Sequence, residues 1–72
     1  MLDIGTKVKT KRLTTSQRKQ GVNVWSEDMK PFEGRVGKII SRDTYYGDNL
    51  YEVEFKNGIT WWWLEGWLEL RS

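Results

Sequence analysis

The clearest alternation of apolar and polar positions spans residues 50–56, where Tyr51, Val53 and Phe55 take turns with Glu52 and Glu54. Successive strand side chains point to opposite faces, so this pattern predicts a half-buried strand with its glutamates outward. A second alternation covers residues 5–11: Thr6, Val8 and Thr10 form an inward, β-branched set, and Lys7, Lys9 and Lys11 form an outward one. Residues 34–41 read as a third strand, and Gly34 and Gly37 mark a bend or bulge in it. Asn57-Gly58 is a strong hairpin signal and is expected to form a two-residue turn with positive φ. A fourth strand follows over residues 59–63. A corner at Leu64-Glu65-Gly66 leads to a short fifth strand, residues 67–70.

Between the first two strands the periodicity disappears. Residues 12–33 are largely polar, with a helical turn able to start near Thr14 or Thr15 but no apolar stripe to extend it. The segment reads as a long loop, and Trp25, Met29 and Phe32 are the side chains that would pin it to a core. Residues 43–49, which include Tyr45, Tyr46 and Gly47, read as a second, shorter polar turn.

Composition sharpens this picture. Seventy-two residues without cysteine or histidine leave neither disulfides nor the usual zinc ligands to stabilise the fold. Five Trp, three Tyr and two Phe are the alternative source of core mass, at about 150–250 Å² buried per ring. The expectation is one all-β domain over residues 1–72. Five short strands, a long first loop and glycine-marked bends fit a closed or nearly closed small barrel, because closure removes exposed strand edges. No stretch approaches the ~20 apolar residues of a membrane span. Met1 to Gly5 lacks a basic-then-apolar leader, so a cytoplasmic location is expected.

The same elements resemble the SH3-like small barrels, a group that includes KOW-type domains, Mind-bomb-type repeats and ferredoxin–thioredoxin reductase variable chains. The matching features are a strand after a glycine, a long loop, Gly-Arg-Val-Gly-Lys-Ile-Ile, Tyr-Glu-Val-Glu-Phe, a hairpin turn and a closing Trp-Leu-Glu. More narrowly, the chain resembles short bacteriophage and prophage proteins. Lys7 to Lys11, Trp25, Met29, Gly34, Val36, Trp61, Trp63, Trp67, Leu68 and Glu69 carry that likeness. The resemblance implies an SH3-like barrel and a phage-type accessory role, and it assigns no site.

Catalysis has little to work with. Without His or Cys, acid–base and nucleophilic chemistry fall to Asp, Glu, Lys, Tyr, Ser or Thr. Glu52 and Glu54, about 7 Å apart on one strand face, are what alternation alone puts on a solvated surface. No phosphate loop or metal-ligand spacing occurs. The expectation is a binding module without enzymatic activity or cofactor.

Two features could carry binding. In the run Trp61-Trp62-Trp63 the three indoles cannot share one face. With Ile59, Trp61 and Trp63 inward, Trp62 faces out, unless Trp25 or Phe32 folds over it; the opposite register would expose Trp61 and Trp63. If Leu68 and Leu70 are core, Trp67 becomes a second surface indole. Exposed indoles at Trp62 and Trp67, with Tyr45 and Tyr46, suit a protein contact; self-association as a homodimer through Trp62 and Trp67 is a third possibility. The second feature is charge. Residues 1–20 hold Lys7, Lys9, Lys11, Arg12, Arg18 and Lys19 against Asp3 alone, whereas residues 21–72 hold six basic and nine acidic residues. The basic set could contact phosphates or serve only as a solubilising lysine face. A protein partner is the first reading, and nucleic acid is the alternative.

Overall fold

A computed structural model describes residues 2–70. The chain opens with β1 (Lys7–Thr10), followed by a six-residue helix α1 (Thr15–Gln20) and a 3-10 turn (Glu27–Phe32). Then come β2 (Val36–Tyr45), β3 (Asp48–Glu54), β4 (Thr60–Leu64), a second 3-10 turn (Glu65–Trp67) and β5 (Leu68–Leu70). The strands form one antiparallel sheet in the order β4-β3-β2-β1-β5.

β2 is shared between two ladders. Its first residues pair with β1, through Lys7↔Lys38, Val8↔Gly37 and Lys9↔Val36, and the rest of the strand pairs with β3. Gly37 sits where the two ladders meet. A Cβ there would lie 2.5 Å from Val53 Cγ1 and 2.8 Å from the Glu54 carbonyl, so only glycine lets the backbones approach this closely. The ladder shifts register between Ile39 and Ser41, and such a bulge adds local twist. Gly37 serves this close approach, and the bulge falls on Ile40.

The 12–33 segment is more regular than its composition suggests. Thr14 caps α1: its hydroxyl accepts from the Gln17 amide at 3.2 Å, while the Gln17 side chain accepts from the Thr14 amide at 2.9 Å. This capping box stabilises a helix too short to stand alone. Met29 is fully buried, and Trp25 and Phe32 pack on the core, as expected of the loop's anchors. The buried Thr10 hydroxyl fastens the end of the loop, donating to the Phe32 carbonyl (2.5 Å) and accepting from the Arg35 amide (3.0 Å).

Both hairpins differ from the sequence expectation. The turn expected over 43–49 shrinks to Tyr46-Gly47, with φ of 47° and 83°. β2 runs through Tyr45, because outward polar side chains continue a ladder without leaving an apolar signal. At Asn57-Gly58 the loop has three residues, Lys56 to Gly58. The Gly58 amide donates to the Phe55 carbonyl and the Phe55 amide to the Ile59 carbonyl, both at 2.9 Å. Of the pair, only Gly58 has positive φ, 76°. This is the type I turn plus glycine bulge of three-residue hairpins.

The core is an aromatic cluster around Trp63. Trp25, Phe55 and Trp67 meet its ring edge-on, with centroids 6.2–6.3 Å away, the geometry that ring quadrupoles favour. The strand register places Trp61 and Trp63 inward, as expected, and Trp62 outward and half-buried. Trp25 and Phe32 pack on Trp63 and Trp61, so neither folds over Trp62. Three expectations are corrected. Ile59, expected inside, precedes β4 and is 40% exposed. Trp67, expected at the surface, is 1% exposed, because the 3-10 turn interrupts the two-residue period and turns its indole inward. Leu70, expected in the core, is 65% exposed at the end of edge strand β5, whereas Leu68 is buried.

Candidate functional site

Alternation along β1 and β2 sends Lys7, Lys9, Val36 and Lys38 to the outer face. Register then sets the neighbours: Lys7 lies directly opposite Lys38, and Lys9 opposite Val36, with Glu69 of β5 on the other side of Lys9. Like charges directly opposite on paired strands oppose folding. Neither of the ion pairs formed between described residues, Arg18–Glu33 at 3.2 Å and Arg42–Asp3 at 3.7 Å, draws on these lysines.

Three clefts open on this end of the molecule. A shallow one of about 340 Å³ is lined by Lys7, Val36, Lys38, Glu54, Phe55 and Lys56. A smaller one of about 70 Å³ shares Val36, Phe55 and Lys56 with it and adds Phe32 and Arg35. The third, about 260 Å³, lies between Lys9, Lys11, Arg12, Gly34 and Glu69. Together they gather seven cationic side chains and two carboxylates. The remaining described residues hold four cationic and eight acidic side chains. Charge is therefore segregated in space more sharply than along the sequence.

Lys7, Lys9, Lys11 and Arg12 are brought together here as the sequence predicts. Arg18 and Lys19 are not. Arg18 is committed to Glu33 and stacks 4.9 Å from the Trp25 ring centroid. Lys19 lies with Val22 and Glu27 at a separate cleft beside Trp25. Arg35, Lys38 and Lys56 join the face without having been singled out from the sequence. The alternation through Val36 was the available signal for Lys38, but its meeting with Lys7 depends on the β1–β2 register.

The aromatic candidates disperse. Trp67 belongs to the core. Tyr45 is half-buried against the core and Tyr46 is 86% exposed, their rings 4.7 Å apart and near perpendicular. Both sit at the β2–β3 hairpin, up to about 23 Å from Lys38 along the strand. Trp62 is left as the outward indole of β4, directly opposite Glu52.

Near that hairpin lies a polar cleft of about 280 Å³, lined by Gln17, Gln20, Asp48, Asn49, Glu65 and Trp67 among others. Glu65 Oε1 accepts from the Tyr51 hydroxyl (2.5 Å) and from Asn49 Nδ2 (3.3 Å), and the Tyr51 oxygen accepts from the Leu2 amide (2.9 Å). The Tyr51 bond holds the Glu65 carboxyl below the usual carboxylate range, outweighing partial burial. Burial, and then the same bond, push the Tyr51 hydroxyl above its ordinary value. This cluster ties β3 to the 3-10 turn before β5.

No family model, curated protein or solved structure matches the chain. Among the described residues, no helix is long and apolar enough to cross a membrane.

Proposed function

We propose that this chain is an SH3-like barrel that binds without catalysing, and that its β1–β2 face takes nucleic acid through the phosphate backbone. The barrel reading is supported by β1 pairing with β2 on one side and β5 on the other, by the close backbone approach at Gly37, and by the long first loop. A phage-type accessory role extends the resemblance in the sequence. The observation that carries the function is the segregation of charge: seven cations against two carboxylates on one face, balanced by an acidic remainder. Such a face attracts a polyanion over a distance of about a Debye length. The directly opposed Lys7 and Lys38 gain from an anion between them, which relieves their repulsion.

A protein contact through Trp62 is the second reading. It is favoured by an indole that faces outward and lies outside the core cluster, since indoles recur among interface hot spots. Fluorescence anisotropy with labelled oligonucleotides at ~50 mM salt, where phosphate contacts are strong, separates the two. Wild type binds and the Lys7→Gln/Lys38→Gln variant binds more weakly, while Trp62→Ala is unaffected. Absence of binding by the wild type contradicts the nucleic-acid reading.

A further inference from the structure

Resting on that reading of the β1–β2 face, we infer that its ligand is a duplex, held by its phosphates without regard to base sequence, and not a single strand. Single strands are held by a basic groove combined with exposed rings on which bases stack. The basic clefts offer cations but no such platform. Phe55 is buried and Phe32 half-buried between the core and Arg35. The large apolar side chain most open to solvent there is Val36, 46% exposed, which has no π-face.

Trp61 lies one row closer to the lysines but points inward against Phe32; the nearest outward indole in the sheet is Trp62, and an acidic row stands in the way. Glu52 and Glu54 project from the outer face of β3. Glu54 lies between Lys38 and Thr60 and Glu52 between Ser41 and Trp62. A single strand running from the lysines to Trp62 would carry its phosphates across both carboxylates. Tyr46, the exposed ring, lies at the far hairpin.

A duplex needs no stacking surface, because its bases already stack on one another, and it presents one charge per about 1.7 Å of axis against about 3.4 Å for each strand. The molecule measures 27 × 26 × 20 Å, so a face of this size covers about six base pairs at that rise. Five of the seven cations at these clefts are lysines, compact point charges suited to phosphate, with Arg12, Arg35 and the exposed Asn57 amide as the groups shaped for base edges. The cations around Val36 are set for backbone contact, which orients without specifying sequence.

The test is a titration of the full chain with three labelled DNAs at ~50 mM salt: a 20-base-pair duplex, one of its strands alone, and a second duplex of unrelated sequence. Counterion release is steeper from a duplex, about 0.9 against 0.7 per phosphate, so over about four contacts the duplex should bind about tenfold more tightly than its strand at that salt. The two duplexes should agree within about twofold, as backbone contact carries no base information. Equal or tighter binding of the single strand overturns the duplex inference and leaves the nucleic-acid reading standing. A strong preference between the two duplexes overturns the backbone-only part. Binding of none of the three overturns the nucleic-acid reading itself.

Discussion

Two neighbouring tryptophans separate folding from surface chemistry at the scale of single residues. Trp63 is fully buried and touches three other rings, whereas Trp62, one position earlier, faces out beside Glu52. Truncating a buried aromatic typically costs about 3–5 kcal/mol, comparable with the whole stability of so small a domain. Trp63→Ala should therefore be unfolded at 25 °C by circular dichroism, and Trp62→Ala should melt within a few degrees of wild type. A folded Trp63→Ala protein contradicts this account of the core. The Tyr51–Glu65 bond gives stability a pH signature. Glu65 has a lowered pKa, so its contribution is present above the unfolded carboxyl value and is lost as pH falls through the folded one. Tyr51 has a raised pKa, so its contribution is present below the unfolded phenol value and is lost as pH rises through the folded one. Tyr51→Phe should lower the melting temperature near pH 7 and flatten both limbs of the profile. A variant that keeps the wild-type acid limb contradicts the assignment.

Elements show which parts of the architecture are legible in the chain and which are not. β1, β3 and the inward face of β4 follow from two-residue alternation, since one face of each packs on the core. The extension of β2 to Tyr45 is invisible because Asp43 and Thr44 face a solvated ladder. The burial of Trp67 is missed because a 3-10 turn breaks the period there, and no residue type in Glu65-Gly66-Trp67 announces it. Of the basic site, the β1 lysines are legible as a run. Their partners Arg35, Lys38 and Lys56 are not, because long-range register and loop closure bring them there. The three-residue hairpin at Lys56–Gly58 sets the register of β3 against β4. Gly58 holds a left-handed φ of 76° that opposes β-branched side chains. Gly58→Val should cost about 1–2 kcal/mol for the backbone alone, or roughly 4–16 °C in melting temperature for a domain of this length. Gly58→Asn should cost less, and equal loss in both variants contradicts the turn assignment.

For the whole molecule, the tryptophans and the charges divide the labour. Four of the five indoles serve the core or pack against it, which leaves the surface to be differentiated by charge. Folding places seven cations around the β1–β2 clefts and concentrates carboxylates elsewhere, so a modest net charge of +2 conceals a polar molecule. Lys38 faces the like charge of Lys7 on one side and the opposite charge of Glu54 on the other, so the two cross-strand effects offset and neutralising both lysines should leave the melting temperature within a few degrees of wild type. The most direct measurement is therefore the salt dependence of duplex binding for wild type and for Lys7→Gln/Lys38→Gln, with melting curves of both. Each lost phosphate contact reduces the slope of log Kobs against log salt by about 0.9. The account predicts a slope shallower in the variant by about 0.9 where one phosphate bridges the two lysines and by about 1.8 where each holds its own, with the variant still folded. An unchanged slope and affinity in a folded variant would contradict it.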